Sequence, residues 1–141
     1  MYIYRPPVIT ILNDREVELV EPFIFEWNDP LPQQIVIPKG FTFDGASVPQ
    51  WAWTLTGILP IGLPLGGAAV HDYTYQRKGR LIRDELKASH NGIWVPVAAV
   101  WPRKTCDDMF YRIMREASVT PWKSYAMYQS VRIFGQGPWD S

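Results

Sequence analysis

The sequence predicts an α+β fold, in which a small N-terminal antiparallel sheet packs against about three helices, in one domain spanning residues 1–141. Three observations carry this expectation. Apolar residues alternate at period 2 before Ser47; they recur at helical spacing further on; and 141 residues is about the length of one domain.

The strand signals come first. Val8 to Leu12 is short and β-branched, Asn13-Asp14 is turn chemistry, and Val17 and Leu19 alternate with Glu16 and Glu18 as in a half-buried hairpin. Phe23 to Trp27 alternates likewise, and Gln34 to Ile37 is a fourth candidate, so one sheet of three or four strands is expected from residues 8–43. Pro22, Pro30, Pro32 and Pro38 lack the N–H that a ladder needs and mark strand ends.

From Ser47 the pattern changes. Ser47, Pro49 and Gln50 form the S-x-x-Q version of a capping box, which predicts a short helical turn through Trp51 and Trp53. A loop rich in proline and glycine follows. Gly67 to Gln76 then has few breakers and ends before Lys78-Gly79, reading as a short helix with a glycine stop. Asn91-Gly92 between two β-compatible runs predicts a hairpin over 85–97. Pro102 to Ala117 puts Cys106, Phe110, Ile113, Met114 and Ala117 on one helical face. Pro121 to Phe134 is the last helix, with Trp122, Tyr125, Ala126, Val131 and Ile133 as its apolar residues and Gly135 and Gly137 as its stop.

Composition narrows function mainly by exclusion. Fourteen basic side chains balance fourteen acidic ones, so there is no strong nucleic-acid signal from bulk charge. The imbalance is internal: net −4 over residues 1–70 and +4 over 71–141, which favours attraction between the halves. A single cysteine excludes an internal disulfide and any multi-cysteine metal site. Met1 to Pro7 carries no signal-peptide pattern, and Trp51 to Val70 is too broken by proline and glycine for a transmembrane segment.

The residues able to do chemistry cluster in two places. On a helix, His71 and Tyr75 lie one turn apart on the same face, while Asp72 points about 100° away. In the second helix, Asp107 shares a flank with Phe110 and Met114, whereas Asp108 faces solvent with Arg112 and Arg115. If these helices pack together, Asp107 reaches His71, fixes its tautomer and stabilises its protonated form, the base-plus-orienter arrangement of general acid–base sites. The bland alternative is a half-buried His71 hydrogen-bonded to Asp107 or Tyr75 for packing alone. Asp44 to Ser47 also reads two ways: an Asx-turn followed by a helix cap, or a loop presenting Ser47 as a nucleophile to His71 and Asp107. Cys106 reads as an inert buried thiol, His90 as an exposed turn residue, and the seven tryptophans as mainly core, with a contact patch of Trp51, Trp53 and Trp139 beside the proline-rich loops as the alternative.

Four motifs in order resemble a known family. Phe41, Asp44-Gly45-Ala46-Ser47-Val48-Pro49, then His71-Asp72 with Tyr75, then Asp107 with Phe110, then Met127-Tyr128 with Gly135 and Trp139, are similar to a domain-of-unknown-function family of small proteins common in tailed phages and prophages. That resemblance extends over about residues 23–139 and implies a phage or prophage source. More locally, the His-Asp-x-x-Tyr helix with a following Cys-Asp helix resembles the layout of phospholipases A2. It implies His71 as general base on water, Asp107 as its orienter, Tyr75 as hydrogen-bond partner, Asp72 as calcium ligand, and loop carbonyls from Gly57 to Gly67.

Two function classes follow. In the first, a small virion- or host-entry-associated hydrolase uses His71 to activate water, assisted by Ca²⁺ or another divalent metal at Asp72 and Asp44. In the second, a non-catalytic structural or assembly component of a phage particle uses the His/Asp/Tyr cluster as a staple. Both imply other phage proteins or a host envelope component as partners, and a place in the virion or the host cytoplasm.

Overall fold

Asn13 closes the first hairpin by accepting the amides of Arg15 and Glu16 on its Oδ1, at 2.9 and 2.8 Å. The hairpin joins β1 (Ile9–Ile11) to β2 (Val17–Leu19) in a computed structural model that describes residues 3–28, 31–56 and 64–141. β5 (Thr42–Phe43) pairs with the other side of β2. A second sheet has the order β3 (Phe23–Asn28), β4 (Pro32–Ile37), β7 (Leu86–His90), β8 (Ile93–Pro96), and β6 (Arg80–Leu81) pairs with β9 (Ala99–Val100). All these pairings are antiparallel.

The fold class is thus α+β, but the single N-terminal sheet expected over residues 8–43 is divided between two. Pro22 and Pro38, without N–H donors, stand at the two crossings, and β4 pairs instead with the β7–β8 hairpin. That hairpin turns where the sequence predicts: Asn91 and Gly92 both take positive φ, 54° and 81°, as a type I′ turn requires.

The described residues hold the three expected longer helices, α2 (Leu65–Gln76), α3 (Arg103–Glu116) and α4 (Pro121–Phe134), the expected short turn as α1 (Gln50–Thr56), and a further short helix, α5 (Gln136–Asp140). Gly135 does end α4, but the chain resumes at once as α5. α2 is buried continuously from Leu65 to Tyr75, with β4 and β5 on one side and α3 on another; α4 packs on α3, and α1 on α4. A helix covered all round has no polar stripe, which is why only the lack of breakers betrays it in the sequence. It also starts two residues earlier than expected. Gly67 lies inside the first turn because a Cβ there would meet the Phe110 ring at 3.0 Å and Met114 at 3.3 Å, so glycine is what lets α2 approach α3.

α4 departs most from its pattern. It buries Ser124, Met127, Ser130 and Val131, and exposes Trp122, Tyr125 and Ile133. The serine hydroxyls donate to the carbonyls of Val119 and Met127, at 3.2 and 2.6 Å, so small satisfied polar groups line the buried face. The alternative of a tryptophan patch finds no support: of its three members Trp53 is buried, Trp139 packs edge-on against Tyr75, and only Trp51 is exposed, its ring against Phe134. No helix among the described residues is long and apolar enough to cross a membrane.

Candidate functional site

α2 and α3 bring His71 and Asp107 together. His71 Nε2 lies 2.7 Å from Asp107 Oδ1, and the Tyr75 hydroxyl donates to the same oxygen at 2.6 Å. Asp107, not Asp108, faces the imidazole, as the helical phase of Cys106, Phe110 and Ile113 predicts. Asp108 is exposed, as expected, and pairs with Lys104 at 2.9 Å and the Tyr128 hydroxyl at 2.5 Å.

On the other ring nitrogen sits Ser47. Its Oγ is 2.7 Å from His71 Nδ1, and its hydroxyl also contacts Asp72 Oδ1 at short range. Ser47, His71 and Asp107 thereby form one line of hydrogen bonds that enters from the 44–48 loop and ends at α3. α1 starts at Gln50, three residues after Ser47, whose hydroxyl is engaged with His71 and Asp72, while Asp44 closes the expected Asx-turn, its Oδ1 accepting the Ala46 amide at 2.8 Å. The loop is held from beneath by Asp72, whose two oxygens accept the amides of Gly45 at 2.8 Å and Ser47 at 3.3 Å.

His71 is fully buried rather than half-buried. Its ring lies between Tyr75 and Phe110, with centroids 4.1 and 4.7 Å away. Both ring nitrogens are engaged, and Ser47 Oγ occupies the Nδ1 side on which the phospholipase-like reading places a water.

The second oxygen of Asp107 carries features that the sequence reading missed. Oδ2 receives Arg132 of α4 at 2.7 Å and Arg103 at 3.4 Å, while Arg103 also donates to the carbonyls of Val131 and Arg132. Arg103 was findable, one turn ahead of Asp107 on the same helix. Arg132 had no local signal. Burial pushes the Asp107 carboxyl up, but the hydrogen bonds from His71, Tyr75 and Arg132 outweigh it and leave the group below the ordinary carboxylate range. For Asp72 burial wins over the Ser47 contact, the His71 charge and the loop amides, and the carboxyl is raised. Tyr75 is raised by burial and by its bond to Asp107. Cys106 is buried and its thiol pushed up to about 12, in keeping with inertness.

An open cavity of about 440 Å³ lies over this network. Asp44 and Ser47 of the loop, Asp72, Tyr75 and Gln76 of α2, and Gly137, Pro138 and Ser141 of the C-terminal segment are among the residues that line it. His71 itself is not on the wall, so Ser47 is the member of the line that meets the cavity.

The donor set does not suit calcium. Asp72 is surrounded by N–H and O–H donors, the complement of a carboxylate and not of a cation; one Asp44 oxygen is taken by its own turn; and no group of three or more His, Cys, Asp or Glu side chains among the described residues is placed to hold a metal. Of the loop expected to supply carbonyls, residues 57–63 lie outside the described residues, and Gly66 and Gly67 belong to α2.

Residues 17–131 match the family described as protein of unknown function, DUF1353, and the chain belongs to that family. It is also 31% identical over 111 residues to the uncharacterized protein y4jT of Sinorhizobium fredii (strain NBRC 101917 / NGR234), an alignment taking in 79% of this chain and 27% of that protein. The chain thus spans about a quarter of the length of this curated relative. No solved structure matches it.

Proposed function

We propose that this DUF1353 domain is a hydrolase acting on an acyl-type bond, with Ser47 as nucleophile, His71 as its base, and Asp107 orienting the imidazole. The observation that carries the reading is the uninterrupted line from the cavity wall inward: Ser47 Oγ to His71 Nδ1 at 2.7 Å, then His71 Nε2 to Asp107 Oδ1 at 2.7 Å. A nucleophile, a base within hydrogen-bond reach and an orienter behind it are what an activated serine needs, whatever the fold. In the step proposed, the Ser47 hydroxyl turns its proton from Asp72 to Nδ1, Ser47 Oγ bonds to the substrate carbonyl carbon and the proton passes to the imidazole. The leaving group takes that proton as it departs, and water then repeats the sequence to free the acyl group. Asp107 stays ionised, and Tyr75 and the two arginines hold it in place. Asp72 fixes the loop that carries Ser47.

The resemblance of the motif order to that of small tailed-phage proteins supports placing this chemistry in a phage particle or at host entry, with other phage proteins or a host envelope component as partners. The alignment with a fraction of a much longer relative supports a module working alongside other chain segments.

One observation favours a second reading. His71 is fully buried, and the network ties the 44–48 loop, α2, α3 and α4 together, as a structural staple does. Incubation with a fluorophosphonate ester, followed by intact and peptide mass spectrometry, separates the two. The catalytic reading expects one adduct on Ser47, absent in Ser47→Ala and after unfolding of the wild type. A folded wild-type protein that stays unlabelled overturns it in favour of the staple.

A further inference from the structure

On another face, a second depression of about 840 Å³ is formed where α3 and α4 meet the β3–β4 strands. Its aromatic lining comes from both sides: Trp27 of β3 and Trp101 after β9, and Tyr111, Tyr125 and Tyr128 of the helices. Trp27 and Trp101 meet edge to face at 6.0 Å, as do Tyr111 and Tyr128 at 5.6 Å, so the rings brace one another rather than collapsing into the space between. Tyr125 is 57% exposed, although it stands on an apolar position of α4.

Between these rings stand charges that cancel. Asp108 and Glu116 are balanced by Arg112 and Arg115, and Gln33 adds a neutral amide. Several are held in place: Asp108 takes the Tyr128 hydroxyl at 2.5 Å and Lys104 at 2.9 Å, and Arg115 donates to the Val119 carbonyl at 2.7 Å. A groove for an apolar helix needs a dry wall without carboxylates, and a polyanion needs a surplus of positive charge; this lining provides neither. Aromatic faces beside paired carboxylate, guanidinium and amide groups match a ligand whose rings have apolar C–H faces and hydroxyl edges that both donate and accept. The volume lies in the range of sites that enclose small organic ligands.

We propose that this groove binds a neutral oligosaccharide, with pyranose rings against Trp27 and Tyr125, Trp101 bracing Trp27 from the buried side, and hydroxyls bridged by Asp108, Arg112 and Gln33. The proposal is independent of the Ser47 reading, because the groove shares no lining residue with the cavity over Ser47.

The test is titration with cellotetraose, maltotetraose and the tetramer of N-acetylglucosamine, followed by tryptophan fluorescence and by the indole N–H signals in ¹⁵N-labelled protein. At least one sugar is expected to give saturable shifts at Trp27 and Trp101 at millimolar concentration or below. Tyr125→Ala should weaken binding about 3- to 10-fold, and Asp108→Ala about 10-fold or more. Both side chains are exposed, so both variants should fold, and unchanged melting confirms it. No saturable shift with any of the three sugars overturns the proposal. Binding unaltered in both variants, or a salt-sensitive response confined to a single-stranded oligonucleotide, overturns it as well.

Discussion

Replacing Asp107 by Asn keeps the shape of the side chain and removes the charge on which four groups converge. Oδ1 accepts His71 and Tyr75, Oδ2 accepts Arg132 and Arg103, and the carboxylate is fully buried while the Arg103 and Arg132 side chains are 17% and 27% exposed. An asparagine offers one acceptor oxygen, so its amide N–H₂ must face one of the two donor pairs. Breaking a buried ion pair by removing one partner costs about 3–5 kcal/mol, because the other charge is left unpaired. For a chain of this length that corresponds to a fall in Tm of roughly 10–20 °C. The pH dependence gives an independent check. The folded-state Asp107 carboxyl lies below its unfolded value near 3.8, so the unfolded chain binds its proton first as pH falls. The stabilisation is therefore complete at neutral pH and above that unfolded value, and is lost as pH drops through the folded one. Urea unfolding from neutral pH down to about pH 2.5 should show wild type and Asp107→Asn far apart at pH 7 and converging at the acid end. A variant within about 1 kcal/mol of wild type at pH 7, or a gap that does not narrow in acid, refutes the account of Asp107 as an ionised hub.

Ser47→Ala deletes one hydroxyl and leaves His71 Nδ1 unpartnered, while Asp72 keeps both loop amides; thermal unfolding should show a loss of about 1–3 kcal/mol, together with complete loss of phosphonate labelling. His71→Ala is the poorer test, because burial between Tyr75 and Phe110 makes it destabilising under either reading. Gly79→Ala should be severely destabilising or fail to fold, since Gly79 has φ 77° and a Cβ there would stand 1.8 Å from the Trp101 carbonyl oxygen; recovery of soluble protein and circular dichroism check it. Cys106 should resist a thiol reagent at pH 8 in the native protein and react fully in denaturant, because the thiol is buried and raised to about 12.

What the sequence determined by itself was local. Period-2 alternation located β2 and β3, Asn91-Gly92 specified a turn that only positive φ satisfies, and the helical phase of Cys106, Phe110 and Ile113 turned Asp107 inward and Asp108 outward. Each signal is set within a few residues by backbone geometry or by the need to bury one face. Tertiary structure decided what depends on distant partners. Whether the strands of residues 8–43 form one sheet or two turned on β7 competing for the edge of β4. Whether α4 hides its aromatic residues or its serines turned on how closely it packs on α3. Ser47 looks like a helix cap until α2 places His71, 24 residues later, within 2.7 Å of its hydroxyl. Arg132 and Asp107, 25 residues apart, become partners only because α4 folds back along α3. The residues of the site were legible as chemistry, but the line that joins them is a contact across elements, and no periodicity in the chain encodes that.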